Sequence, residues 1–208
     1  MRRFFLLVFK GEQHGQIDPQ SRTEAIETWA CRECESLLPG HEPQDVRLRA
    51  QAPMGRQPLM GSFSLFVGFF RRPFLEVVCD GDIDRHFHWA FVLGQNGKPY
   101  RDWLIAVGRR RIALRGSDMP IHNYCPVCGT LRYVSRGGFF LYAPPEDVDV
   151  FDALAGQLVV TEPVMLRVSE QKWYKLNITE IPVAPEPLDD FGPLPLRKEP
   201  PDTSTRPE

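Results

Sequence analysis

Cys125-Pro126-Val127-Cys128-Gly129 decides how this chain closes, because it answers a second pair far upstream, Cys31-Arg32-Glu33-Cys34. Each pair is C-x-x-C, and residues 35 to 124 lie between them. Two intervening residues let both sulfurs of a pair turn toward one ion, and two such pairs make the tetrahedral four-cysteine set of a structural zinc site. Gly129 suits a knuckle that needs a backbone conformation glycine adopts at little cost. A local zinc finger separates its pairs by about 15–20 residues. The longer gap here predicts a clasp across an inserted sheet, with Zn2+ held by Cys31, Cys34, Cys125 and Cys128. Two unrelated reduced pairs in a core are the plain alternative. A thioredoxin-like redox role lacks the strand-to-helix context it needs.

The 208 residues allow one sizeable core, or one domain and a tail. With 42% hydrophobic and 25% charged residues, the composition is that of a soluble globular protein. A formal net charge of −2 gives no global attraction to nucleic acid or anionic lipid. Five cysteines is an odd count. The fifth, Cys79, ends the apolar run Leu75-Glu76-Val77-Val78-Cys79, where a buried thiol is the default. This pattern favours a reducing compartment over a disulfide framework. The greasiest run, from Phe63 to Phe70, stops at Arg71-Arg72 and is too short to span a bilayer. Phe4 to Phe9 imitates a signal-peptide core but is shorter than one, with no small-residue cleavage site after it. A first strand, and a cytoplasmic protein with no membrane partner, are the expectations.

The predicted fold class is α+β: a single β-rich domain over residues 1–183 with few short helices. Strands are expected at Phe4–Phe9, along Val46–Ala50, and at Phe63–Phe69, Leu75–Cys79, His86–Leu93, Trp103–Val107 and Arg111–Arg115. After the second knuckle come Leu131–Val134 and Phe139–Tyr142, joined by Gly137-Gly138. Leu158–Val160 and a closing Trp173–Ile181 complete the set. Residues 53 to 61 read as a loop. Ser21-Arg22-Thr23-Glu24 has capping-box spacing for a helix from Arg22 that carries Ile26, Trp29 and Ala30 on one face and delivers Cys31. Trp29 reads as core packing. Asp147 is placed to cap a helix bearing Val150, Phe151 and Leu154, with Gly156 at its end. Thr161-Glu162-Pro163 opens another. Eight of the last 27 residues are proline, so residues 184–208 are expected to form an extended or disordered tail.

Other constellations weigh less. Asp80, Asp82 and Asp84 alternate as in a calcium loop, but Phe91 stands where that loop needs a bidentate glutamate; a solvated turn or an acidic patch remains. His86 and His88 share a strand side without a third ligand. His122, three residues before Cys125, would compete with four thiolates that already close the site. Arg109-Arg110-Arg111, with Arg101, Arg115, Tyr100 and Trp103, is the one basic and aromatic cluster. A zinc-ribbon nucleic-acid-binding module would use this hairpin, although the acidic balance and the lack of a recognition motif oppose it. No nucleophile elbow, P-loop, dinucleotide fingerprint or HExxH occurs, and a closed site of four thiolates leaves no position for water. The chain is therefore not expected to be an enzyme.

The two knuckles and the C-terminal third resemble the double-CxxCG immunity proteins that accompany transferred toxins in myxobacteria. The matching features are the N-terminal strand, Cys31/Cys34, the long β-rich middle and Cys125-Pro126-Val127-Cys128-Gly129. They continue through the acidic-hydrophobic segment from Asp147 to Leu154, Leu158 to Glu162, and a closing strand ending Ile181-Pro182-Val183. Glu35 departs from the pattern, standing where the family has glycine. The resemblance implies a cytoplasmic protein that binds and neutralises a cognate protein toxin, its zinc being structural. Toxins acting on nucleic acid are commonly basic, and opposite charge speeds encounter. Asp80, Asp82, Asp84, Asp149 and Asp152 are therefore the partner-binding candidates.

Overall fold

A computed structural model describes residues 2–9, 16–49, 54–62, 65, 67–112, 114–116, 123–129, 131–132, 139–142, 144–154 and 156–184. The elements in chain order are β1 (Phe4–Phe9), α1 (Pro19–Thr28), β2 (Val46–Arg47), β3 (Leu59–Gly61), β4 (Gly68–Arg71), α2 (Arg72–Val78), α3 (Ile83–His86), β5 (Phe87–Leu93) and β6 (Pro99–Gly108). They continue with β7 (Arg115–Gly116), β8 (Asn123–Tyr124), β9 (Leu131–Arg132), β10 (Phe139–Tyr142), β11 (Val150–Leu154), β12 (Gln157–Thr161), α4 (Glu162–Ser169), β13 (Leu176–Ile181) and β14 (Val183–Ala184). The fold is α+β and strand-rich, with few and short helices.

Two sheets carry the core. A four-stranded sheet runs β11-β12-β1-β13, and a five-stranded sheet runs β2-β5-β6-β4-β3. Successive side chains of a strand point to opposite faces, and here both faces are covered. In β1, Phe5 and Leu7 enter the central core with α2 and α4, whereas Phe4 and Leu6 pack with Leu141, Phe151 and Ile181 on the other side. In β6, Leu104 and Ala106 face the central core, while Trp103, Ile105 and Val107 pack with Trp29 and Val92. Two-sided burial is why these strands read as unbroken apolar runs.

The same two-sided burial misleads the sequence reading elsewhere. Asp147–Leu154 is not a capped helix: Val150–Leu154 is strand β11, antiparallel to β12. Val150 faces the central core and Phe151 the opposite one. Gly156 turns the hairpin at φ 83, against the Met60 carbonyl, where a Cβ has no room. Leu75–Cys79 is the opposite error. Arg72–Val78 is helix α2, opened by Pro73 in its first turn, with Phe74, Leu75 and Val78 at helical spacing in the core. The strand expected at Phe63–Phe69 begins only at Gly68, and β3 lies in the segment read as a loop. His86 ends α3, so β5 begins at Phe87, and β13 begins at Leu176. Helix α1 starts at Pro19, not Arg22, because the Asp18 carboxylate accepts from the Gln20 and Ser21 backbone N–H groups. The Ser21 hydroxyl instead accepts from the Arg47 N–H. β9 and β10 do not pair with each other: β9 pairs with β8, and β10 with β7 and β14. The Pro-rich stretch from residue 185 onward lies outside the described residues, and Ala184 still belongs to β14.

Candidate metal centre

The first cysteine pair follows α1 directly. The chain turns back at once, since Ala30 bridges Leu37 and the Cys31 N–H donates to the Ser36 carbonyl at 2.8 Å. Trp29, buried in the core beside the five-stranded sheet, fixes the base of this turn. The second pair sits at the tip of the β8–β9 hairpin, where Tyr124 pairs with Leu131. The two tips are built alike. In each, the carbonyl of the first cysteine accepts from the backbone N–H four residues on: Glu35 to Cys31 at 2.7 Å, and Gly129 to Cys125 at 2.9 Å. Both turns end in a left-handed residue, Glu35 at φ 57 and Gly129 at φ 68. Glu35 thus adopts the conformation of the glycine it replaces, and its carboxylate is held by Arg22.

The tips meet. Cys31 Sγ lies 3.8 Å from Cys125 Sγ, and Cys34 Sγ lies 3.4 Å from Cys128 Sγ. All four sulfurs fall within 4.8 Å of one another. A tetrahedral zinc with Zn–S near 2.3 Å spaces its sulfurs by ~3.8 Å, so the donor set fits such an ion. The four cysteines are 1%, 1%, 2% and 9% exposed, a burial that suits a closed structural site better than one with a free coordination position.

The electrostatics suit a cation. Burial pushes the Cys34 thiol up to about 12 and raises Cys31. Burial also pushes Cys125 up, but the Cys128 and Val127 N–H groups, with the thiols of Cys34 and Cys128, outweigh it and bring Cys125 down to about 7. Cys31 receives the equivalent pair of backbone N–H groups, from Cys34 and Glu33, and Cys34 receives that of Ser36. Each knuckle therefore aims N–H dipoles at its sulfurs, and a divalent ion would remove the remaining cost of the buried thiolates. The two-residue spacing pointed to the four cysteines that meet here; the N–H donors depend on turn geometry that the spacing does not encode.

The other candidates disperse. Asp80 is exposed, at φ 54. Asp82 caps α3 by accepting from the Arg85 N–H, and Asp84 accepts from Trp89 Nε1. Asp149 is exposed, bonded to Arg2 and to the Thr161 hydroxyl. Asp152 is not a surface group. It is 6% exposed, accepts from the Gly108 N–H at 3.0 Å and lies 3.5 Å from Arg111. The apolar strand around it carries it inside. Arg109 donates to the Asp84 carbonyl and meets His88 Nε2, whose Nδ1 meets Glu42. Trp103 is fully buried, so it offers no stacking surface. His122 lies outside the described residues. Cys79 stands apart from the cluster, its thiol pushed up to about 12 by burial.

No family model and no curated protein matches this chain. Among the described residues, no helix is long and apolar enough to cross a membrane.

Proposed function

We propose that the chain is an immunity-type binding protein: it neutralises a cognate bacterial toxin in the cytoplasm by covering its working surface, and catalyses nothing itself. The observation that carries this reading is the doubled knuckle. Two Cys-x-x-Cys turns, each closed by a left-handed fifth residue, meet at one buried point. This supports the double-CxxCG resemblance at the position where the sequence departs from it, since Glu35 does glycine's conformational work. The nucleic-acid alternative draws little support, because Arg109 and Arg111 are turned onto internal partners.

The test is co-expression with the product of the adjoining coding region, assayed first for toxicity to the host. Restored growth and a complex isolated from the same cells are the expected results. Growth arrest undiminished by this chain, with no complex formed, overturns the reading. Of the acidic candidates, Asp80 is the one whose side chain carries no structural bond among the described residues. Asp80→Asn, which removes the charge and keeps a residue that tolerates φ 54, should slow association at low salt and leave the melting temperature unchanged.

A further inference from the structure

We propose that the outer edge of β13 pairs with β13 of a second copy of this chain, antiparallel about a two-fold axis at Ile178, so that the two four-stranded sheets join into one. The sheet β11-β12-β1-β13 has an edge strand at each side. The β11 edge is capped by the segment after β6: the Asp152 N–H donates to the Arg110 carbonyl, and the Ile112 N–H to the Asp152 carbonyl. Among the described residues nothing caps Leu176–Glu180 at the β13 edge. Backbone groups alternate in direction along a strand. The Pro182 carbonyl points outward, since it accepts from the Leu141 N–H at 2.9 Å. Glu180, Ile178 and Leu176 therefore also turn their N–H and C=O groups outward, while Ile181, Thr179 and Asn177 bond β1.

This edge is unguarded. Exposed edges are commonly blunted by proline, by charge or by a bulge. Leu176-Asn177-Ile178-Thr179-Glu180 has no proline, its register to β1 is unbroken, and its one charge is already paired with Arg3 at 2.7 Å. The slot is bounded at both ends. Lys175 is left-handed, at φ 55, and β13 starts only after it; at the far end the Leu141 N–H takes the Pro182 carbonyl. A second β13 running the other way has the same length between bounds, so its own Leu176 comes opposite Glu180 and the strand stops short of β10. The open groups are also symmetric about Ile178. With Ile178 opposite its copy, and Leu176 opposite the partner's Glu180, every outward N–H meets an outward carbonyl. Asn177 then faces the partner's Thr179 at the close, non-hydrogen-bonded spacing, where polar side chains bond across strands. On the other face Leu176 and Ile178, which the central core covers only in part, continue their apolar row across the axis. No like charges are set opposite each other. An isologous contact needs such self-complementarity, and this strand carries it.

The pairing needs no toxin, so the purified full chain is the sample, and its result is separate from that of the co-expression test. Sedimentation should show a dimer that dissociates on dilution. Ile178→Lys and Ile178→Glu each set like charges opposite one another across the axis. Each should weaken self-association about tenfold, and an equimolar mixture of the two should regain it. Amide hydrogen exchange gives a second reading that needs no variant. The Leu176, Ile178 and Glu180 amides should exchange more slowly as protein concentration rises, while those of Asn177 and Thr179, bonded to β1, should not change. A chain that stays monomeric up to millimolar concentration overturns the proposal. So does a dimer that both variants leave intact, or exchange at the outward amides that does not depend on concentration.

Discussion

Glu35 is the residue whose conformation carries the most information. A left-handed non-glycine residue costs roughly 1–2 kcal/mol, and the exposed end of its ion pair with Arg22 returns about 0–1 kcal/mol. Glu35→Gly should therefore be neutral or stabilising by up to about 1 kcal/mol, with the metal retained, as read by denaturant unfolding and zinc analysis. Glu35→Val should destabilise, because a β-branched side chain fits that region worst. His86 gives a pH prediction. Burial lowers its pKa below the usual 6.5, with Arg85 adding to the effect. The unfolded chain then binds the proton more readily, so this contribution to stability is present above pH ~6.5 and is lost as pH falls through the folded value. Melting temperature should drop between pH 7 and pH 5, and His86→Gln should flatten that slope.

At the scale of elements, α2 is the sharpest test, since its sequence reads as a strand. Phe74 is fully buried and meets the Trp173 ring edge-on at 5.1 Å. Phe74→Ala should cost about 3–5 kcal/mol, measured by equilibrium unfolding. What was legible in advance follows from periodicity. β1, β5, β6 and β12 stand where apolar runs of strand length are bounded by turn residues, and α4 stands where Thr161-Glu162-Pro163 announced it. The inversions have one cause. A short apolar run spans too few residues to establish a period, so Leu75–Cys79 and Val150–Leu154 could each be helix or strand. Only Pro73 pointed to the helix. At the candidate metal centre the meeting of the four cysteines was legible because the paired spacing suggests it. Asp152 reads as a surface group because no local sign shows that its strand faces inward on both sides. Glu35 reads as a plain departure from the knuckle pattern, because φ is not written in the sequence.

For the whole molecule, the four-cysteine cluster joins segments 94 residues apart. Purified protein should contain one zinc per chain, measured by elemental analysis. Cys128→Ser should lower both zinc content and melting temperature, because three thiols and a hydroxyl are a poor closed site. Removal of residues 185–208 should leave melting within about a degree, since proline-dense sequence without apolar periodicity has little to bury. The pairing of β1 has a consequence for synthesis. Its two neighbours are β12 and β13, with Phe4 opposite Thr161 on one side and Ile181 on the other. At ~5–20 residues per second, the ribosome delivers those partners about 10–30 s after β1. Through that interval a strand of six apolar residues has emerged with both edges open. Slower translation of the second half lengthens the exposure, so yield of soluble protein should depend on elongation rate and on chaperones that shield the emerging strand.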